Sequence, residues 1–175
     1  ITVRVDDGVK SIEEEAFNDC MSLKSVDIGE GVTVIGNRAF SECAALTDLL
    51  LPTSLRSIGD KAFIDCISLK SLILPNGLES IGYYAFGYCE LLTHITLPSS
   101  ITTIGDGAFS CCESLTKITI PSSITSMGRG VFSGCSSLAV VILESGITNV
   151  WSGVFESCGS LVKVVLPESV TSIGS

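Results

Sequence analysis

The chain has 175 residues, of which 46% are hydrophobic and only 6% aromatic, so it is long enough to bury a core built mainly from aliphatic side chains. This apolar content excludes a disordered or fibrous protein. The formal net charge of −9 argues against a nucleic-acid partner, because such proteins need clustered Lys and Arg. No apolar run of about 18 residues occurs, so direct membrane insertion by this segment is not expected.

A 23-residue period runs through the whole chain without an insertion or a deletion. A phenylalanine recurs at this interval, a cysteine follows three positions later, and a leucine follows three positions after that. Such self-similarity predicts a solenoid, because one unit of this size buries its apolar face only against its neighbours. The three columns are Phe17, Phe40, Phe63, Phe86, Phe109, Phe132 and Phe155; Cys20, Cys43, Cys66, Cys89, Cys112, Cys135 and Cys158; and Leu23, Leu46, Leu69, Leu92, Leu115, Leu138 and Leu161.

The first half of each repeat has a helical pattern. Ile104, Ala108, Cys112 and Leu115 are spaced by four, four and three residues, which predicts one or two helical turns on one side of the coil. Gly105 recurs in most repeats, and we interpret it as the tight entry into that turn.

The second half of each repeat has the pattern of a strand. Ile118 and Ile120 alternate with polar residues, which predicts a short strand with its apolar side chains inward, and Pro121 ends it. Val3 and Val5 fall in the same two columns, so the chain is expected to open inside a preceding coil and to close inside an unfinished one. We interpret residues 1–175 as a single solenoid segment of about seven repeats, with partial coils at both ends.

The combined motif, L-P-x-S-[IV]-T-x-I-G-x-x-A-F-x-x-C-x-x-L-x-x-I-x-L, resembles the BspA-type leucine-rich repeat family. Leu97 to Leu115 is a near-consensus copy, whereas Glu13 and Trp151 depart from it in the glycine column. The resemblance implies an α/β repeat fold: a right-handed leucine-rich-repeat solenoid with a parallel concave sheet and short helical turns on the convex side. It also implies a surface-exposed or secreted protein of a kind often linked to adhesion.

The cysteines do not form an evident disulfide or metal pattern. Seven occupy one inward column, where neighbouring side chains run parallel at about 5 Å, whereas a disulfide needs converging Cβ atoms about 3.8 Å apart. We interpret them as small buried hydrophobic residues. Cys111 lies beside this column and is expected to be exposed, as a free thiol that could crosslink or as a chance substitution. The absence of C-x-x-C pairs argues against zinc.

Catalytic chemistry finds no support in the sequence. A triad or acid–base dyad would need a His, a carboxylate and a nucleophile brought together, and His94, the only imidazole, is interpreted as a surface residue on a strand. The glycine-containing turns lack the Lys and Ser or Thr of a phosphate loop. We expect no catalytic, cofactor or metal site and no enzyme activity.

Outward-pointing side chains of the strands are the first candidates for binding. Leu50 with Ile73, and Ile142 with Val165, are predicted to be exposed aliphatic pairs on adjacent strands, which marks an interaction surface or reflects strand propensity. Exposed aromatic residues, which are frequent at binding hot spots, are the second. The partner-binding candidates are Asp48, Leu50, Ser71, Ile73, His94, Thr96, Lys117, Thr119, Ile142 and Val165 on the concave face, and Tyr83, Tyr84, Tyr88 and Trp151 elsewhere.

These observations favour a macromolecule-binding module that acts through its solenoid surface. A host, matrix or cell-surface protein is the expected partner, a glycan is a further possibility, and an extracellular or cell-surface location follows from the family resemblance. The alternative is a structural spacer in a larger surface protein, with no ligand of its own.

Overall fold

A computed structural model describes residues 1–174 as a stack of coils whose strands pair in parallel. Thr2 pairs with Ser25 and Ser25 with Asp48, so each residue lies beside the residue 23 positions further along the chain. The predicted parallel-strand solenoid of about seven repeats is therefore confirmed.

Each coil contributes two strands, which we number β1 to β16 in chain order. The odd-numbered strands form the main ladder, and their outward side chains form what we call the strand face, the face predicted to be concave. The even-numbered strands form a second ladder. The odd-numbered strands are β1 (Thr2–Val5), β3 (Ser25–Ile28), β5 (Asp48–Leu50), β7 (Ser71–Ile73), β9 (His94–Thr96), β11 (Lys117–Ile120), β13 (Val140–Leu143) and β15 (Lys163–Val165). The even-numbered strands are β2 (Ser11–Ile12), β4 (Val34–Ile35), β6 (Ser57–Ile58), β8 (Ser80–Ile81), β10 (Thr103–Ile104), β12 (Ser126–Met127), β14 (Asn149–Val150) and β16 (Ser172–Ile173).

The core is a set of side-chain columns that run along the solenoid. The phenylalanine rings stack in one column, with centroids 5.1 Å apart at Phe17–Phe40 and 5.8 Å apart at Phe132–Phe155, and nearly parallel planes. The five rings from Phe40 to Phe132 are fully buried. Every inner coil thus packs on both neighbours, which is how a solenoid builds a continuous core from units that cannot fold alone.

Residues 1–174 contain no helix, so the predicted helical turns are wrong. Residues two positions before and two positions after each phenylalanine have positive φ, such as Lys61 and Asp65 around Phe63, and a left-handed residue stops helix propagation. The backbone N–H of Phe63 donates to the carbonyl of Ala85 in the next coil, at 2.7 Å. The four-four-three spacing therefore comes from consecutive turns that are hydrogen-bonded between coils.

The glycine column is explained by close approach between coils rather than by a special φ. A Cβ added to Gly82 would lie 2.6 Å from the backbone nitrogen of Asp60, and one added to Gly105 would lie 2.6 Å from that of Tyr83. The close approach lets the N–H of Gly82 donate to the carbonyl of Ile58 at 2.8 Å. A side chain in this column must push two coils apart.

Trp151 occupies the glycine column at the point where the second ladder is interrupted. The even-numbered strands from β2 to β12 form one six-stranded sheet. Within residues 1–174, β14 pairs only with β16. Met127 and Val150 therefore lack the pairing that joins Ile104 to Met127. We attribute the interruption to the side chain of Trp151. At Gly128, the equivalent position one coil earlier, an added Cβ would lie 2.3 Å from the backbone nitrogen of Asp106, so this column has no room for a side chain between paired coils.

Candidate functional site

Leu50 and Ile73 are the most exposed aliphatic residues of the strand face. Their side chains are 65% and 83% exposed, while the neighbours Leu49 and Leu72 point into the core. They lie on β5 and β7, successive strands of the main ladder that belong to different hydrogen-bonded sheets. The structure thus exposes one aliphatic side chain on each of two successive strands, and we call these two side chains the apolar patch.

A gap opens in the main ladder between β9 and β11. These strands also belong to separate sheets, although β7 pairs with β9 and β11 with β13. A half-open depression of about 420 Å³ lies over this gap. Four predicted candidates line it: His94, Thr96, Lys117 and Thr119, together with Ile95, Leu97, Pro121 and Glu144.

Three of the side chains that line this gap are ionisable: Lys117, His94 and Glu144. Lys117 is exposed and belongs to neither of the two ion pairs in residues 1–174, which are Arg4–Asp27 and Arg38–Glu15. His94 is exposed, and its Nδ1 lies 2.8 Å from the Thr93 hydroxyl. The one carboxylate, Glu144, accepts a bond from the Ser122 N–H at 3.1 Å.

The other strand-face candidates are more dispersed. Asp48 and Ser71 are exposed at the start of their strands, and the Asp48 carboxylate accepts a bond from the Thr47 hydroxyl at 2.8 Å. Ile142 and Val165 are paired in register, as expected, but Ile142 is half-buried. This pair presents less apolar surface than Leu50 and Ile73.

The three tyrosines come together on the turn segment of one coil. The Tyr83 and Tyr84 rings meet edge to face with centroids 4.4 Å apart, and the Tyr84 and Tyr88 rings lie 6.3 Å apart. Lys61 Nζ lies 5.5 Å from the centre of the Tyr83 ring. Trp151 lies elsewhere and is half-buried against the core. The tyrosines therefore already contact one another, and Trp151 is more enclosed than a surface aromatic.

The cysteine column has a role that the sequence did not reveal. Each thiol from Cys43 to Cys158 donates to the carbonyl of a phenylalanine in the preceding coil, as Cys89 does to Phe63 at 3.4 Å. All eight cysteines are free thiols. Burial raises the pKa of Cys89 well above its usual value and that of Cys43 to about 11. The column thus satisfies buried carbonyls and holds unreactive thiols.

Cys111 is half-buried rather than exposed. Burial and the nearby Glu113 and Glu90 carboxylates raise its pKa. No group of three or more His, Cys, Asp or Glu residues within positions 1–174 is arranged to hold a metal ion. In the same range, no helix is long and apolar enough to cross a membrane.

Comparisons with known proteins agree with this geometry. The BspA type leucine-rich repeat region matches residues 1–91 and 56–175, with six copies. A leucine-rich repeat protein from Bacteroides ovatus is 33% identical, with a TM-score of 0.92, and the match covers 100% of this chain and 48% of that one. The search of curated proteins finds no match.

Two further solved structures are similar. The leucine-rich repeat protein of T. pallidum is 32% identical, with a TM-score of 0.69, over 99% of this chain and 73% of its own. A leucine-rich cell surface protein from Faecalibacterium prausnitzii is 30% identical, with a TM-score of 0.77, over 99% of this chain and 56% of its own. This chain thus spans about half the length of the B. ovatus and F. prausnitzii proteins. The repeat, the fold and these matches together show that the chain belongs to the BspA-type leucine-rich repeat family.

Proposed function

We propose that this chain is a binding module that recognises another protein at the cell surface or outside the cell through its strand face. The observation that carries the proposal is the exposure of Leu50 and Ile73 on successive strands of a chain that buries most of its other aliphatic residues. Exposed apolar patches on soluble proteins often mark interaction sites.

The family and the fold support the general part of this proposal. Leucine-rich repeat solenoids present extended surfaces and serve mostly as interaction scaffolds rather than as enzymes. The F. prausnitzii relative is described as a cell surface protein. Host, matrix or neighbouring-cell proteins are therefore the partners we expect, and adhesion is the process.

Binding of the labelled chain to cultured cells and to immobilised matrix proteins tests the proposal. The double variant Leu50→Asp, Ile73→Asp places two carboxylates in the apolar patch. Because a partner would have to remove water from these charges on binding, the variant is expected to abolish saturable binding. The matched control is Ile67→Asp, because Ile67 is also an exposed isoleucine but lies off the strands. Circular dichroism melting of both variants establishes that each remains folded.

The second candidate is a structural spacer that holds other domains apart. The hydrogen bonding between coils, which continues through much of the chain, supports it because it makes the array rigid. Saturable binding that survives in the double variant contradicts the strand-face proposal. No saturable binding by the wild-type chain to any surface tested favours the spacer instead.

A further inference from the structure

The strand face changes chemical character along the solenoid. In its first coils Arg4 lies 3.9 Å from Asp27, and Asp48 follows. Residues 89–175 contain three basic residues, Lys117, Arg129 and Lys163, and two of them, Lys117 and Lys163, lie on strands of the main ladder. No acidic residue of this half lies within those strands. In this half of an acidic chain, the two Lys or Arg residues within the main-ladder strands are thus not accompanied by any carboxylate in those strands.

The gap between β9 and β11 can hold an anionic group. Lys117, which belongs to neither ion pair, and His94 lie at one level of the gap, and Thr96 and Thr119 lie two residues, about 7 Å, further along the strands. Glu144 lies at the far end of the gap. Lys117 pairs with Val140, and Glu144 follows Val140 by four residues, which is about 13 Å along the strand direction. A carboxylate at the Lys117 end therefore meets donors and a positive charge without direct contact with Glu144.

The apolar patch lies beside this gap. The paired strands β7 and β9 are about 4.8 Å apart, and the unpaired β11 lies at least as far again from β9, so an extended peptide covers the distance from β7 to β11 in about three or four residues. Leu50 and Ile73 offer aliphatic contacts to a large apolar side chain. No Phe, Tyr or Trp occurs in the strands of the main ladder, so the face lacks the large ring platforms that would favour a sugar.

We propose that β5 to β11 of the strand face bind an extended acidic peptide segment of the partner protein. A large apolar side chain of that segment packs on Leu50 and Ile73. A Glu or Asp about three residues away enters the gap, where Lys117 carries the positive charge that recognises it. This inference rests on the proposed function and specifies the chemistry of its partner.

An array of extended octapeptides tests the inference. Each peptide holds a leucine three residues before a glutamate, a glutamine or a lysine, and fluorescence polarisation in low salt measures its binding to the full chain. We expect glutamate peptides to bind at least about tenfold more tightly than their glutamine counterparts, with an affinity that falls as salt is added. Lys117→Glu should lower the affinity for glutamate peptides about tenfold and raise the affinity for lysine peptides.

Arg129→Glu is the matched control, because it changes the net charge equally but lies off the strands. Equal weakening by Lys117→Glu and Arg129→Glu overturns the inference, since the effect is then one of net charge. No binding by any glutamate peptide also overturns it, as does Lys117-dependent binding of a polyuronate oligosaccharide alone. Loss of cell or matrix binding in the Leu50→Asp, Ile73→Asp variant would still support the proposed function in those cases.

Discussion

Gly82→Ala tests whether close approach between coils determines the glycine column. The added Cβ would lie 2.5 Å from the Asp60 carboxylate, 2.6 Å from the Asp60 backbone nitrogen and 2.6 Å from the Gly59 carbonyl carbon. The backbone neighbours cannot rotate away, so the two coils must separate locally. That separation removes the bonds from the Gly82 N–H to Ile58 and from the Ser80 N–H to Arg56.

The expected cost follows from these contacts. Two backbone hydrogen bonds contribute about 1 kcal/mol each, and forced overpacking adds about 1 kcal/mol or more, so Gly82→Ala should lower the free energy of unfolding by about 3 kcal/mol. Gly159→Ala is the matched control, because nothing lies within 4 Å of its added Cβ and its φ is not positive. It should leave stability unchanged or raise it by up to about 1 kcal/mol. Urea denaturation followed by circular dichroism measures both; equal stabilities for the two variants would refute the reasoning.

Three other properties follow from the structure. Trp151 interrupts the second ladder, so hydrogen exchange measured by mass spectrometry should be faster at its amide than at that of Gly105, and Trp151→Gly should slow it; equal rates in the wild type would contradict this. Phe86→Ala should cost about 3–5 kcal/mol in urea unfolding, and Phe155→Ala clearly less because Phe155 is only half-buried. The thiol pKa of Cys43 is about 11 when folded, against 9.0 for an unperturbed thiol, so unfolding favours ionisation and stability should fall as the pH rises from about 9 to about 11. Cys43→Ala should reduce that slope, and an unchanged slope would exclude the thiol as its source.

The sequence predicted the columns of the solenoid because each is repeated in every coil. The burial of Phe63 and Cys66 and the 23-residue register follow from the repeat, and the outward position of Ile73 follows from the alternation of inward and outward residues along the strand. The helical turns were predicted wrongly because Lys61 and Asp65, which have positive φ, give no sign of it as residue types. Gly107 and Gly130, which occupy the Lys61 column in later coils, were the available signal for a left-handed position.

The gap between β9 and β11 lay beyond sequence reasoning. His94 and Lys117 occupy the same outward column as residues whose strands do pair, so the pattern does not distinguish them. Whether two strands pair depends on the small rotation between successive coils, which all the columns set together. The thiol bond from Cys89 to Phe63 was missed for a related reason, because the carbonyl it satisfies belongs to the preceding coil.

Site-specific photo-crosslinking tests the central claim, that the strand face is the binding surface. The photoreactive residue p-benzoylphenylalanine is placed either at Ser71, which is exposed on β7, or at Ser136, which is exposed and off the strands. Both chains are irradiated on cells or matrix to which the wild-type chain binds. A crosslinked partner should form from position 71 and not from position 136. A partner crosslinked only from position 136 would contradict the assignment of the strand face.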